Sequence, residues 1–141
     1  MKKIIVAMII TTIAVSACAQ KLNESQVPAA AKLTFQKEYP GINGSWDKEG
    51  DKYEVNFKKD GKAMSLLVTA AGSIEETETD IPLNDLPATA QDYVKQHYRN
   101  EKIKEAATIV KENGEMNYEA EVNGRDLIFD SNGKFIKASK D

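Results

Sequence analysis

An α+β fold is predicted for this 141-residue sequence. Two tandem helix-plus-four-strand repeats, 25–80 and 84–139, would form one antiparallel sheet of about eight strands with both helices on one face. Three observations predict it. Ser25-Gln26-Val27-Pro28-Ala29-Ala30-Ala31 and Asn84-Asp85-Leu86-Pro87-Ala88-Thr89-Ala90 open two stretches of the same pattern, the mark of an internal duplication. In each stretch apolar residues recur first every four positions and then every two, the change of period that separates a helix from a strand. Asp60-Gly61 and Asn123-Gly124 stand at matched places, and such pairs accept the positive φ angles of tight hairpins.

The chain opens with a segment outside that pattern. Met1-Lys2-Lys3 is a short positive start, Ile4 to Val15 is apolar except for Thr11 and Thr12, and Ser16-Ala17-Cys18-Ala19 is a run of small residues. That order predicts a secretory signal peptide over residues 1–19; the apolar run is shorter than the roughly 20 residues a membrane span needs. Two cleavage chemistries stay open. Ala17-Cys18-Ala19 fits the small-x-small pattern, whereas Val15-Ser16-Ala17-Cys18 resembles a bacterial lipobox. In the lipobox reading Cys18 is lipidated and anchors the chain to a membrane through its acyl groups. Residues 20–141 are expected to be one domain, exported to the periplasm, membrane-anchored as a lipoprotein, or secreted.

Losing residues 1–19 removes two lysines and no acid from a chain of net charge −3, leaving −5. A mildly acidic surface repels phosphate, which argues against nucleic-acid binding. Cys18 is the only cysteine, so neither a disulfide within the fold nor a thiolate zinc site is expected. Stability must come from an ordinary core.

In the first repeat Val27, Ala31, Phe35 and Tyr39 share a helix face, as Leu86, Ala90, Val94 and Tyr98 do in the second. Helices are therefore expected at about 27–39 and 86–98, each with its proline in the first turn, where the missing N–H has no partner to lose. Pro40-Gly41 ends the first. Weak strands at 45–49 and 107–111 follow. Then Tyr53, Val55 and Phe57, and Tyr118, Ala120 and Val122, alternate with polar residues, giving strands with one buried face at 52–58 and 117–123. Further strands are expected at 62–69 and 73–79, and at 125–130 and 134–138. The sheet face away from the helices would be open to solvent.

Val27-Pro28-Ala29-Ala30, Phe35, Tyr39-Pro40-Gly41, Trp46 with Lys48-Glu49, Tyr53-Glu54-Val55 and Glu76-Thr77-Glu78 together resemble the PepSY-like, β-lactamase-inhibitor-like domains of exported Bacteroidetes proteins. The resemblance covers nearly all of the mature chain, more closely in its first half. It implies the repeat fold of β-lactamase inhibitor proteins and an extracytoplasmic location. In the inhibitor proper the open sheet face and an acidic hairpin grip the enzyme. The comparable hairpin here is Lys58-Lys59-Asp60-Gly61-Lys62, with Asp60 among lysines.

Candidate chemistry is sparse. His97, the sole histidine, has no cysteine or Gly-x-Ser-x-Gly serine to activate, and reads as an exposed helix-end residue. Glu75-Glu76-Thr77-Glu78-Thr79-Asp80 is the densest acidic run; its alternate members lie about 7 Å apart along a strand, too far to share one ion, and read as solvated charge or a blunted sheet edge. Asp130-Ser131-Asn132-Gly133 lacks the closing acid of a calcium loop and reads as a hairpin turn. Trp46, Tyr53 and Tyr118 are assigned to the core.

The function expected from the sequence is a non-catalytic binding module acting on an unknown protein or peptide of the cell envelope, monomeric and without cofactor or metal. Its contact residues would come from the open face and hairpin: Glu54, Asn56, Lys58, Asp60, Glu119 and Glu121. The alternatives are a small-ligand or metal-ion-binding protein using the acidic strand 75–80, and a true β-lactamase inhibitor.

Overall fold

A computed structural model describes residues 20–140; the segment expected to be a signal peptide, with Cys18, lies outside the described residues. Nine strands form one antiparallel sheet in sequence order: β1 (Gln20–Leu22), β2 (Gly44–Glu49), β3 (Lys52–Lys59), β4 (Lys62–Val68), β5 (Ile74–Asp80), β6 (Ile103–Lys111), β7 (Met116–Val122), β8 (Arg125–Phe129) and β9 (Phe135–Lys140). Helix α1 (Ala29–Glu38) interrupts the meander between β1 and β2, and α2 (Ala88–His97) between β5 and β6. No described helix is long and apolar enough to cross a membrane.

Both helices start two residues later than their periodicity suggests. Val27 and Leu86 are extended, at ψ 132° and 139°, because a residue before proline is pushed out of the helical region. Each is nonetheless buried beside its helix: Val27, Ala31 and Phe35 in one repeat, Leu86, Ala90 and Val94 in the other.

The ninth strand, β1, adds to the eight expected. Three residues are too few to show a period, yet Leu22 stands opposite Trp46 on β2 and packs on the first core. Ile81, the residue after β5, plays the same part for the second core, its N–H donating to the Ala106 carbonyl. Each repeat is therefore a lead-in strand, a helix and a hairpin series, and β5 serves as last strand of one copy and lead-in of the next.

Residues opposite one another on an antiparallel ladder share a face, so the register can be followed across the sheet. Trp46, Val55, Leu66 and Thr77 lie in one row; Thr79, Thr108, Tyr118 and Phe129 lie in another on the same side. Both helices cover that side, over two separate cores. Equivalent positions hold different volumes. The first core gathers aromatics near the C-terminal end of α1, where Phe35 meets Trp46 edge-on and Tyr39 and Phe57 close the cluster. The second places Ala106 where the first has Trp46, and gathers Phe129, Tyr93 and Phe135 instead. Tyr53 and Tyr118 are half-buried against their cores.

Turn chemistry locks the repeats. Asp60 and Asn123 both take φ +52°, and each precedes a glycine of positive φ, the backbone of a two-residue type I′ hairpin. The later turn of each repeat docks on the helix: Thr34 Oγ1 donates to the Gly72 carbonyl, and Thr89 Oγ1 to the Asn132 carbonyl, both at 2.7 Å. Gly133 sits at φ +78°, and a Cβ there would lie 2.7 Å from Pro87 Cβ.

Two predictions follow from this packing. Gly133→Ala should lower unfolding free energy by about 2–3 kcal/mol through left-handed strain plus displacement of α2. Gly124→Ala, at φ +67° with nothing within 4 Å, should lose only about 1 kcal/mol; urea midpoints at constant slope report both. Leu66→Ala and Leu127→Ala, each in a different core, should cost about 2–5 kcal/mol apiece. Their effects should add to within about 0.5 kcal/mol in the double variant, whereas marked non-additivity would mean the cores are coupled.

Candidate functional site

On the side away from the helices the sheet curves into a trough of about 530 Å³ lined by residues from β2 through β9. Its floor is set by register. Across β3 to β6 one row reads Glu54, Leu67, Glu76, Lys111; the next, from β3 to β7, reads Asn56, Ser65, Glu78, Ile109, Asn117; a third, from β5 to β9, reads Asp80, Ala107, Glu119, Ile128, Lys137. Three glutamates thus each face an aliphatic residue on the following strand: Glu54 opposite Leu67, Glu78 opposite Ile109, Glu119 opposite Ile128.

Glu78 is the group this setting changes most. It stands on β5, the middle strand, between Ser65 and Ile109, both buried. Loss of water raises its pKa to about 7, and the negative charges of Glu54, Asp80, Asp126 and Glu76 push in the same direction. Burial also raises Glu54, helped by Glu49 and Asp47 and opposed by hydrogen bonds from Ser65 and Asn56. At one rim Lys111 pairs with Glu115 at 2.9 Å, and its hydrogen bond holds the Glu115 carboxyl below the usual carboxylate range. With its amide turned to satisfy both ends, buried Asn117 accepts from Lys111 Nζ at 3.3 Å and donates to the Met116 carbonyl at 3.2 Å. Lys52 pairs with Glu75 beside this rim.

Of the six residues picked from the sequence, the structure brings Glu54 and Glu119 into the trough. Asn56 lies on the same face but is exposed, its Nδ2 donating to Asp47 Oδ2 at 3.1 Å. Lys58 and Asp60 are exposed at the β3–β4 hairpin, and Glu121 pairs with Lys104 at 3.1 Å. None of these four lines the trough. Glu76 and Glu78 do, on a strand that is central rather than an edge. Their alternation was visible in the sequence, but their burial was not, because it depends on which strands flank β5. His97 is exposed at the end of α2, on the helix side, its ring stacked on Tyr93 at 4.0 Å and its Nδ1 3.0 Å from the Tyr93 carbonyl oxygen. Asp130 closes its turn by accepting from the N–H groups of Asn132 and Lys134.

The raised Glu78 carboxyl sets a pH dependence. A carboxyl with a higher pKa folded than unfolded binds its proton more tightly in the native state. Native stability therefore falls as pH rises from the unfolded value of about 4.3 to the folded value of about 7, and stays lower above it. Glu78→Gln should remove that fall. Allowing for screening through the open side, the variant should gain about 2 kcal/mol on wild type between pH 4 and 8. Urea unfolding across that range tests this, and parallel pH profiles would refute it.

Comparison with curated proteins returns no match. Several solved structures share the fold. A Bacteroides eggerthii protein described as periplasmic is 14% identical, with a TM-score of 0.70 over 81% of this chain and 88% of that one. A DUF2874 family protein of Bacteroides ovatus is 20% identical, with a TM-score of 0.67 over 81% and 87%. A BLIP-like protein of Bacteroides fragilis is 21% identical, with a TM-score of 0.60 over 80% and 86%. One family model matches twice, over residues 13–75 and 51–137, two overlapping matches that agree with a repeated pattern; the chain belongs to the PepSY-like, beta-lactamase-inhibitor-like family.

Proposed function

We propose that this chain is an exported, non-catalytic binding module that holds a protein or peptide of the cell envelope against the open face of its sheet. The observation behind this reading is the trough itself: a concave surface lined from eight of the nine strands. Side chains fixed on strands give a rigid, pre-shaped contact surface, so little order has to be gained on binding. Export is supported by the N-terminal leader pattern and by the periplasmic description of the Bacteroides eggerthii neighbour. The non-catalytic reading is supported by the distribution of reactive groups: His97 lies across the sheet from the trough, and no cysteine is available within residues 20–141.

Residue-specific photo-crosslinking in intact cells tests the proposal. A crosslinker at Leu67 or Lys137, in the trough, should yield discrete adducts with an envelope protein. The same probe at Leu33 or Gln36, exposed on α1, should not. Adducts confined to the helix side, or none from the trough, would reject it.

A further inference from the structure

We infer that the occupant of the trough is a basic segment with apolar neighbours, whose lysine or arginine side chain lays its stem on Ile109 or Leu67 and brings its charge to Glu78 and Glu54. This rests on the open face being the binding surface, and adds the chemistry of the partner.

Two independent features of the trough point to that chemistry. The first is charge. The groups acting on Glu78 are carboxylates from β3, β5 and β8, while Lys111 is engaged by Glu115 at the rim. Lys137, the other lysine of the lining, stands on β9, four strands from Glu78. A cation placed beside Glu78 and Glu54 brings opposite charge to a partly dry site, where charge-assisted hydrogen bonds are strong. The second is the pairing in the register: every one of the three glutamates has an aliphatic residue directly across from it. Cross-strand neighbours of that kind have Cβ atoms about 4.5–5.5 Å apart. Lysine and arginine have the same two-part design, an apolar stem of several carbons ending in a charge. A trough of about 530 Å³ also admits more than one side chain, within the roughly 300–1,000 Å³ of ordinary ligand sites. A bare metal ion fits less well: among the described residues no three His, Cys, Asp or Glu side chains converge to hold one.

The test is an NMR titration of the whole mature domain with an acetylated, amidated peptide, Val-Ser-Leu-Arg-Leu-Ser-Val, and its citrulline twin, which keeps shape and hydrogen-bonding groups but loses the charge. The arginine peptide should shift open-face signals on β3 to β8 and leave α1 and α2 unmoved. Citrulline should weaken binding about tenfold or more, and so should Glu78→Gln with the arginine peptide. The Gln variant is expected to fold at least as well as wild type, so a loss of binding would not be a loss of fold. Equal affinity for the two peptides, an unaffected Glu78→Gln variant, shifts on the helix side, or no binding would each overturn the inference. Trough crosslinks in cells that persist after such a result would leave the open-face reading standing and remove only the cation; absence of both would remove both.

Discussion

The β5–β6 ladder is the constraint on which the rest of the structure depends. Its register, from Glu76 opposite Lys111 to Asp80 opposite Ala107, joins two repeats that otherwise keep separate cores. On the helix side the join is lined by Thr77, Thr79 and Thr108, all half-buried, and by Val110 opposite Thr77, which is exposed and belongs to neither core. Backbone hydrogen bonds and strand register therefore hold the halves in line. A slip of one residue would turn Glu76 and Glu78 toward the helices and the threonines toward solvent. Burying two carboxylates against apolar cores is costly enough to forbid that arrangement. The acidic alternation of β5 thus fixes the alignment of the whole sheet as well as lining one face of it.

Much of this was legible in local pattern. Helix faces at Val27, Ala31 and Phe35 and at Leu86, Ala90 and Val94, strand faces at Tyr53, Val55 and Phe57, and the Asp60 and Asn123 hairpins are each written in neighbouring residues, and each forms. The lead-in strand β1 was not legible because Gln20-Lys21-Leu22 has one apolar residue and no period; only the finding that Leu22 and Ile81 do the same task in their two repeats gives it a place. The trough was half legible. Glu54 and Glu119 could be placed on the open face by alternation alone. The raised carboxyl of Glu78 could not, since burial there comes from Ser65 on one flank and Ile109 on the other, and neither is near it in sequence.

The two cores show how much freedom the fold leaves. Trp46 and Ala106 occupy matching positions, yet each core is filled, because Phe129, Tyr93 and Phe135 supply at one end of the second core the bulk that Trp46 and Phe57 supply at the other end of the first. Interiors must reach close packing, but total volume and patterning matter more than which position holds the large residue. Sequence identities of 14–21% between this chain and solved structures that share its fold are what such freedom permits.

The open face obeys a different logic. Each helix with its own strands buries its own core, so on the helix side the copies are nearly self-sufficient. The trough belongs to neither copy: Glu54 and Leu67 come from the first repeat, Glu119 and Ile128 from the second, and Glu78 with Ile109 from the two strands that join them. Separated halves would each present a shallow polar sheet face with a newly exposed edge. Joined, they enclose a concave surface with Glu78, a carboxylate raised by burial, on its middle strand. The strand that stabilises the union by its register is the same strand that suffers the desolvation of Glu78. A threonine at that position would keep the register and avoid the penalty, as Thr77 and Thr79 do on the other face. That the chain instead places a carboxyl there, between a buried serine and a buried isoleucine, is the physical reason for placing the center of the proposed binding surface at the seam between the repeats.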